Sequence, residues 1–166
     1  MLNCVLSHDR ITEYMDKYMI EAIKEAEIAA SKGEVPIGAV VVKDGEIIAR
    51  NHNRMHELGD PTAHAEMLAI REAAKVLGGW RLVGCSMYVT IEPCSMCAGA
   101  MVWARIDDLY IGSMDERAGA CGSVVNLLEQ ESFNHKVNIH TGIMQEECAR
   151  VITDFFKAIR KEQHKS

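Results

Sequence analysis

Apolar residues recur at helical spacing early in the chain. Met15, Tyr18, Met19, Ala22, Ile23, Ala26 and Ala30 predict an amphipathic helix over Thr12–Lys32, with Gly33 placed to end it. Two short apolar runs, Ile37–Val42 and Glu46–Arg50, flank Lys43-Asp44-Gly45, a hairpin pattern because glycine tolerates positive φ. The polar stretch Asn51–Pro61 is long for a connection and is a candidate binding loop. Thr62 is then expected to cap a helix reaching Leu77, with Ala65, Leu68, Ala69 and Val76 inward. Met87–Ile91 reads as a strand, Pro93 opens a helix over Cys94–Ala104, and Leu109–Gly112 is a further strand. A loop holding Gly112, Gly119 and Gly122 leads to an expected short helix at Val124–Glu129 and a strand at Val137–Thr141. The closing helix, Glu146–Lys161, carries Cys148, Val151, Ile152, Phe155 and Ile159 on one face. Helices between most strands predict an α/β sandwich, one sheet of about five strands covered on both sides.

Length and composition narrow this picture. A chain of 166 residues, 48% hydrophobic and 25% charged, is expected to form one domain over 1–166 and to bury its own core without staples. Residues 1–11 read as an N-terminal extension and 157–166 as a basic tail. No apolar stretch is long enough to span a bilayer, and His8, Asp9, Arg10 and Glu13 interrupt any signal-peptide core. A soluble, cytoplasmic protein with no membrane partner is expected. Six cysteines in such a chain are more readily ligands, catalysts or small buried residues than disulfide partners.

The net charge of −6 argues against a protein that coats nucleic acid at large. The charge is uneven, however. Lys157, Arg160, Lys161 and Lys165 against Glu162 give the last ten residues +3, which leaves −9 on the first 156. Such a tail suits a local anionic contact, and equally a solvated helix end.

Candidate chemistry sits at two expected helix starts, His64-Ala65-Glu66 and Pro93-Cys94-Ser95-Met96-Cys97. Cys94 and Cys97, three apart, share one side of a first helical turn. With His64 they make a donor set that Zn²⁺ favours, and three protein ligands leave a fourth tetrahedral position open, as catalytic rather than structural zinc requires. Helix N-termini favour thiolates there. Glu66, two residues past His64, can converge over the helix end and carry protons. Each piece alone has a plainer reading. Cys-x-x-Cys could be a redox pair or half of a structural zinc site, His64 a capping histidine, and Glu66 ordinary first-turn charge. Cys148, Met67, Met87, Met96 and Met101 read as core filling, Cys85 and Cys121 flank turns, and Cys4 lies in a loose N-terminus.

In this order, His-x-Glu and then Pro-Cys-x-x-Cys is the signature of zinc nucleobase deaminases. Beyond it, Val35–Val41, Asp60–Glu66, Glu92–Met101, Gly119–Ser123, Asn134–Val137 and Glu147–Phe156 resemble the bacterial tRNA-specific adenosine deaminases, of the cytidine-deaminase-like superfamily. The resemblance covers about residues 13–161. The zinc motifs are common to the superfamily, whereas Asp115–Ser123 and Asn134–Val137 carry the substrate assignment. It implies a three-layer α/β/α sandwich with a mixed sheet, and hydrolysis of adenosine to inosine at the wobble position of a tRNA anticodon. It also implies one Zn²⁺ per subunit on His64, Cys94 and Cys97, Glu66 as proton carrier, and a homodimer that grips the anticodon stem-loop from both subunits. Asn53, Ala65 and Pro93 are implied at the flipped base, Asp115 at the backbone or ribose, and Phe156 and Arg160 on the loop from the last helix. Two alternatives stay open: a deaminase of a free base or nucleoside (guanine, cytosine or cytidine) with the same zinc site, and a non-catalytic zinc module. Residues Met1–Arg10 have no counterpart in the family, and Met114 stands where a polar or charged residue is expected.

Overall fold

A computed structural model describes residues 8–163, with side chains described from Thr12 onward. Cys4, most of the expected extension and residues 164–166 of the basic tail lie outside the described residues. The elements are α1 (His8–Ser31), β1 (Gly38–Lys43), β2 (Glu46–His52), α2 (Met55–Leu58), α3 (Ala65–Leu77), β3 (Cys85–Ile91), α4 (Ser95–Ala104), β4 (Asp108–Ser113), β5 (Asn138–Thr141) and α5 (Gln145–Gln163). They form the expected mixed sheet of five strands in the order β2-β1-β3-β4-β5. β1 runs antiparallel to β2 and β3, while β3, β4 and β5 are parallel.

Period-two alternation assigns the two faces. Ala39, Val41, Met87, Val89, Leu109 and Ile111 point to one core, shared with Ala65, Ala69 and Ala73 of α3 and Ala98 and Met101 of α4. Val40, Val42 and Tyr88 point to the other, under Tyr18, Met19 and Ala22 of α1 and Cys148 of α5. The result is helix on sheet on helix. α1 presses so closely on the start of β1 that a Cβ at Gly38 would overlap the Ala22 carbonyl, so that position admits only glycine.

This topology brings two helix tips together. β2 and β3 both run antiparallel to β1, so their C-terminal ends share one edge of the sheet. The chain leaving each end soon turns into α3 or α4, both on the same face, and their N-termini open over that edge. Carboxyl ends of strands are where open α/β sheets place their ligands.

Four local expectations are corrected. The Asn51–Pro61 loop contains the short helix α2. α3 starts at Ala65 with His64, not Thr62, at the cap position, because Thr62 turns back to hydrogen-bond Asp60 through both its N–H and its hydroxyl. Val76 faces solvent, and Ala73 takes the inward place. No helix forms at Val124–Glu129, since this backbone is drawn into a bridge between Cys121 and Asn126 and into bonds such as Leu127 N–H to Ala120 O. No helix among the described residues is long and apolar enough to cross a membrane.

Candidate active site

His64 caps α3 with extended backbone (φ −74°, ψ 152°), which holds its imidazole over the helix mouth. Cys94 does the same for α4 (φ −73°, ψ 174°), and Cys97 follows inside the first turn. The His64 Nδ1 lies 3.7 Å from Cys94 Sγ and 3.6 Å from Cys97 Sγ. All three donor atoms fall within 4.8 Å of one another. Zinc bonds of about 2.3 Å to sulfur and 2.0–2.1 Å to nitrogen, at a tetrahedral angle, put nitrogen and sulfur about 3.6 Å apart. The spacing therefore fits one small tetrahedral metal ion, and one nitrogen with two sulfurs is a donor set that suits zinc. A hydrogen bond from Cys97, with burial opposing it, holds the Cys94 thiol down at about 3, which favours its thiolate form. The same contact pushes the Cys97 thiol up, and contact with Cys94 raises His64. None of the five described cysteines is in a disulfide.

Glu66 lies in the first turn of α3 and is only 3% exposed. Burial pushes its carboxyl up to about 7, against the opposing pull of its own backbone N–H and of His64. One oxygen, Oε2, is buried with no hydrogen-bond partner. The carboxyl also contacts the Cys97 thiol, so the expected convergence of His64 and Glu66 over the helix end is present. A buried carboxyl with an idle oxygen beside an ion-sized cluster is built to exchange protons with something that arrives.

The expected substrate residues divide into two groups. Asn53, Ala65 and Pro93 belong to the shell around the cluster. The Asn53 carboxamide oxygen accepts the Ala65 N–H at 2.9 Å, satisfying one of the free donors at the start of α3. Its NH₂ takes no part in that bond, and the Asn53 N–H is itself anchored on Ile37 O. Pro93 O accepts the Ala120 N–H at 2.9 Å. Asp115, Phe156 and Arg160 instead line a cavity of about 770 Å³ between α5, residues 113–117 and Val35–Ile37. Ile37, whose carbonyl anchors the Asn53 N–H, also lines this cavity, whereas His64, Glu66, Cys94 and Cys97 do not.

Lys157 does not line this cavity and pairs with Asp154 at 3.9 Å. Met114 does line it while packing against the core, so no charge stands at that position. Two residues that sequence reasoning passed over matter here. Arg117 lines the cavity from the loop and Arg160 from α5, each with no ion-pair partner among the described residues. Glu92 gathers the Asp115–Ser123 loop onto its carboxylate. The signal for Glu92 was a carboxylate directly before Pro-Cys-x-x-Cys, with three glycines downstream.

Two helix tips, a His-Cys-Cys cluster that could hold a metal ion and a buried glutamate make up a deaminase-type site. The MafB19-like deaminase family model matches residues 13–160, and the chain belongs to that family. Within it the chain groups with the tRNA-specific adenosine deaminases. It is 51% identical over 146 residues to the tRNA-specific adenosine deaminase of Bacillus subtilis (strain 168), covering 88% of this chain and 91% of that one. A structure solved in studies of A-to-I editing by tRNA:A34 deaminases at the wobble position of transfer RNA superposes with a TM-score of 0.79. It is 46% identical and covers 81% of this chain and 98% of its own. The guanine deaminase of Bacillus subtilis shares the fold at a TM-score of 0.59, with 31% identity over 94% of this chain and 95% of that one.

Proposed function

We propose that this protein converts adenosine to inosine at the wobble position of tRNA anticodons by hydrolysis, with one zinc ion per subunit. The observation that carries the chemistry is the idle Glu66 Oε2, buried beside three donor atoms at tetrahedral spacing. His64, Cys94 and Cys97 would hold the ion, which when bound acidifies water at neutral pH. Glu66 takes one proton from the attacking water and passes it to the purine ring, then takes the second from the new C6 hydroxyl and passes it to the departing amine. Oxygen is gained at C6 and ammonia is released, with no other reactant needed. Asn53 NH₂ fixes the flipped base between Ala65 and Pro93, and the buried setting of Glu66 keeps bulk water from competing.

Support for an RNA substrate comes from the cavity beside α5. It offers Phe156, 41% exposed, as a stacking surface and two guanidiniums, Arg117 and Arg160, that have no ion-pair partner among the described residues, for phosphate. An acidic protein needs only a few such contacts to hold one loop. A cytoplasmic, single-domain homodimer completes the reading. α4 carries no charged residue, and Met96, Gly99, Ala100 and Trp103 form an outward stripe at helical spacing, with Trp103 74% exposed. A Cβ at Gly99 would touch nothing within 4 Å, so a second copy has room to approach. Trp103→Glu should yield monomer in sedimentation; a wild type already monomeric at micromolar concentration refutes the dimer.

The deciding experiment incubates the zinc-loaded protein with an adenosine-wobble anticodon stem-loop and, separately, with guanine and cytidine, and analyses the products. Inosine in the stem-loop is expected. Turnover of a free base or nucleoside with an untouched stem-loop would favour the small-substrate deaminase instead.

A further inference from the structure

Glu92 is 3% exposed and stands two residues before Cys94, outside the chemistry assigned above. Its carboxylate accepts four hydrogen bonds, all from one loop. Oε2 takes the Asp115 N–H at 2.9 Å and the Ser123 hydroxyl; Oε1 takes the Cys121 N–H at 3.0 Å and the Ser123 N–H at 2.9 Å. The backbone on either side reinforces the attachment, with the Glu92 N–H donating to Ser113 O at 2.8 Å and Pro93 O accepting from Ala120. Gly119 lies against the carboxylate so closely that a Cβ there would overlap it.

We infer that Glu92 is a positioning residue for substrate binding, keying the Asp115–Ser123 loop to the Cys94 end of the metal cluster. The inference rests on the function proposed above, because the loop carries Asp115 and Arg117 into the cavity assigned to RNA. A carboxylate offers about four acceptor sites, and here one loop uses them all. The loop therefore has no independent position: it moves only if the segment bearing the metal ligand moves. Since small displacements of contact groups cost large factors in reactivity, such a link keeps nucleotide contacts and reacting atoms in one frame. A carboxylate that merely filled the core would need no four converging donors and would not require a glycine beside it.

Three variants test this from different sides. Glu92→Gln replaces an acceptor by a donor facing N–H groups, Gly119→Ala pushes the loop away while keeping the carboxylate, and Ser123→Ala, at an exposed position, removes one hydroxyl bond. Zinc content, Tm, KM and kcat for the adenosine-wobble stem-loop are measured well below each Tm. We expect one zinc per subunit throughout, and KM raised about tenfold in Glu92→Gln and Gly119→Ala, the loss that one unsatisfied buried group typically produces. Ser123→Ala should show a smaller rise, and kcat should change less than KM in all three. A lowered Tm with unchanged KM in Gly119→Ala and Ser123→Ala makes Glu92 merely structural and overturns the inference, even if Glu92→Gln fails to fold. Loss of zinc from Gly119→Ala overturns it too, since the contact would then serve the ligand shell. If the wild type leaves the stem-loop untouched, the proposed function falls and takes this inference with it. Unchanged KM in the variants of an active enzyme removes the inference alone.

Discussion

Glu66 and Glu92 are both buried carboxylates at the same end of the sheet, each two residues from a metal-ligand position, and they have opposite surroundings. Glu66 keeps one oxygen with no partner, and burial drives its carboxyl up to about 7. At Glu92 burial also acts upward, yet the bonds from Ser123, Asp115 and Cys121 outweigh it and hold the carboxyl below its ordinary value. The same side chain is thus tuned to change protonation in one place and prevented from doing so in the other. What separates them is both how deeply each carboxyl is buried, far more so at Glu66, and how many N–H and O–H groups are aimed at its oxygens, far more at Glu92. A carboxylate saturated by its own protein is architecture, and one left unsaturated is available for chemistry.

Removing the cluster between them should have the largest effect. Cys94→Ala or Cys97→Ala leaves two of three donors, so metal analysis of the purified variant should find the site depleted and turnover should be lost. Full zinc occupancy would overturn the ligand assignment. Glu66→Gln comes next. It should keep zinc and fold while kcat drops about 10²–10⁴-fold, the range spanned by a lost general acid/base. An unchanged kcat would show that the idle oxygen has no catalytic use.

Glu92 should respond in stability where Glu66 responds in rate. Glu92→Gln strands buried N–H donors, at a cost of about 1–3 kcal/mol in denaturant unfolding. Its folded-state proton affinity lies below that of the unfolded chain, so the unfolded state binds the proton first on acidification. The stabilisation is complete above the ordinary carboxylate range and is lost as pH falls through the lower folded value. The stability gap between wild type and Glu92→Gln should therefore be full at neutral pH and close in acid. Glu66 has the opposite sign. In protein stripped of metal, its carboxyl must ionise against burial between its ordinary 4.5 and about 7, so Glu66→Gln should gain stability relative to wild type as pH rises across that window. Parallel pH profiles for the two variants would erase the contrast between the residues.

The cluster was legible in the sequence because each of its parts is local: His64 with Glu66, and Cys94 with Cys97, are separated by two or three positions. The periodicity of the main helices and strands was legible for the same reason. Short-range pattern misled where a distant group competes for the backbone. Val124, Val125, Leu127 and Leu128 suggest a helix, but Glu92, 31 residues before Ser123, claims the preceding turn and commits it to a bridged loop. Thr62 looks like a cap and instead folds back on Asp60, leaving that place to His64. Even more distant pairings hide the cavity, which draws its walls from Val35, Ile91, Asp115 and Phe156, residues no local window contains.

The smallest expected effect falls on the cavity's cations, and it separates two basic residues that the charge pattern alone left equivalent, Arg160 being the one the family resemblance singled out. Arg160 lines the cavity, while Lys157 pairs with Asp154 and does not. Each phosphate contact to single-stranded nucleic acid contributes about 0.7 to the slope of log K against log salt. Arg160→Ala should flatten the slope for stem-loop binding by about that amount, and Arg117→Ala likewise. Lys157→Ala should leave it unaltered, because that exposed ammonium is not part of the cavity wall. None of the three should alter zinc content, since none belongs to the His64, Cys94 and Cys97 cluster. If Lys157 flattens the slope and Arg160 does not, the RNA backbone crosses the other side of α5. The cavity would then lose its assignment, while the contrast between Glu66 and Glu92 would stand, because it depends on hydrogen bonds within the chain.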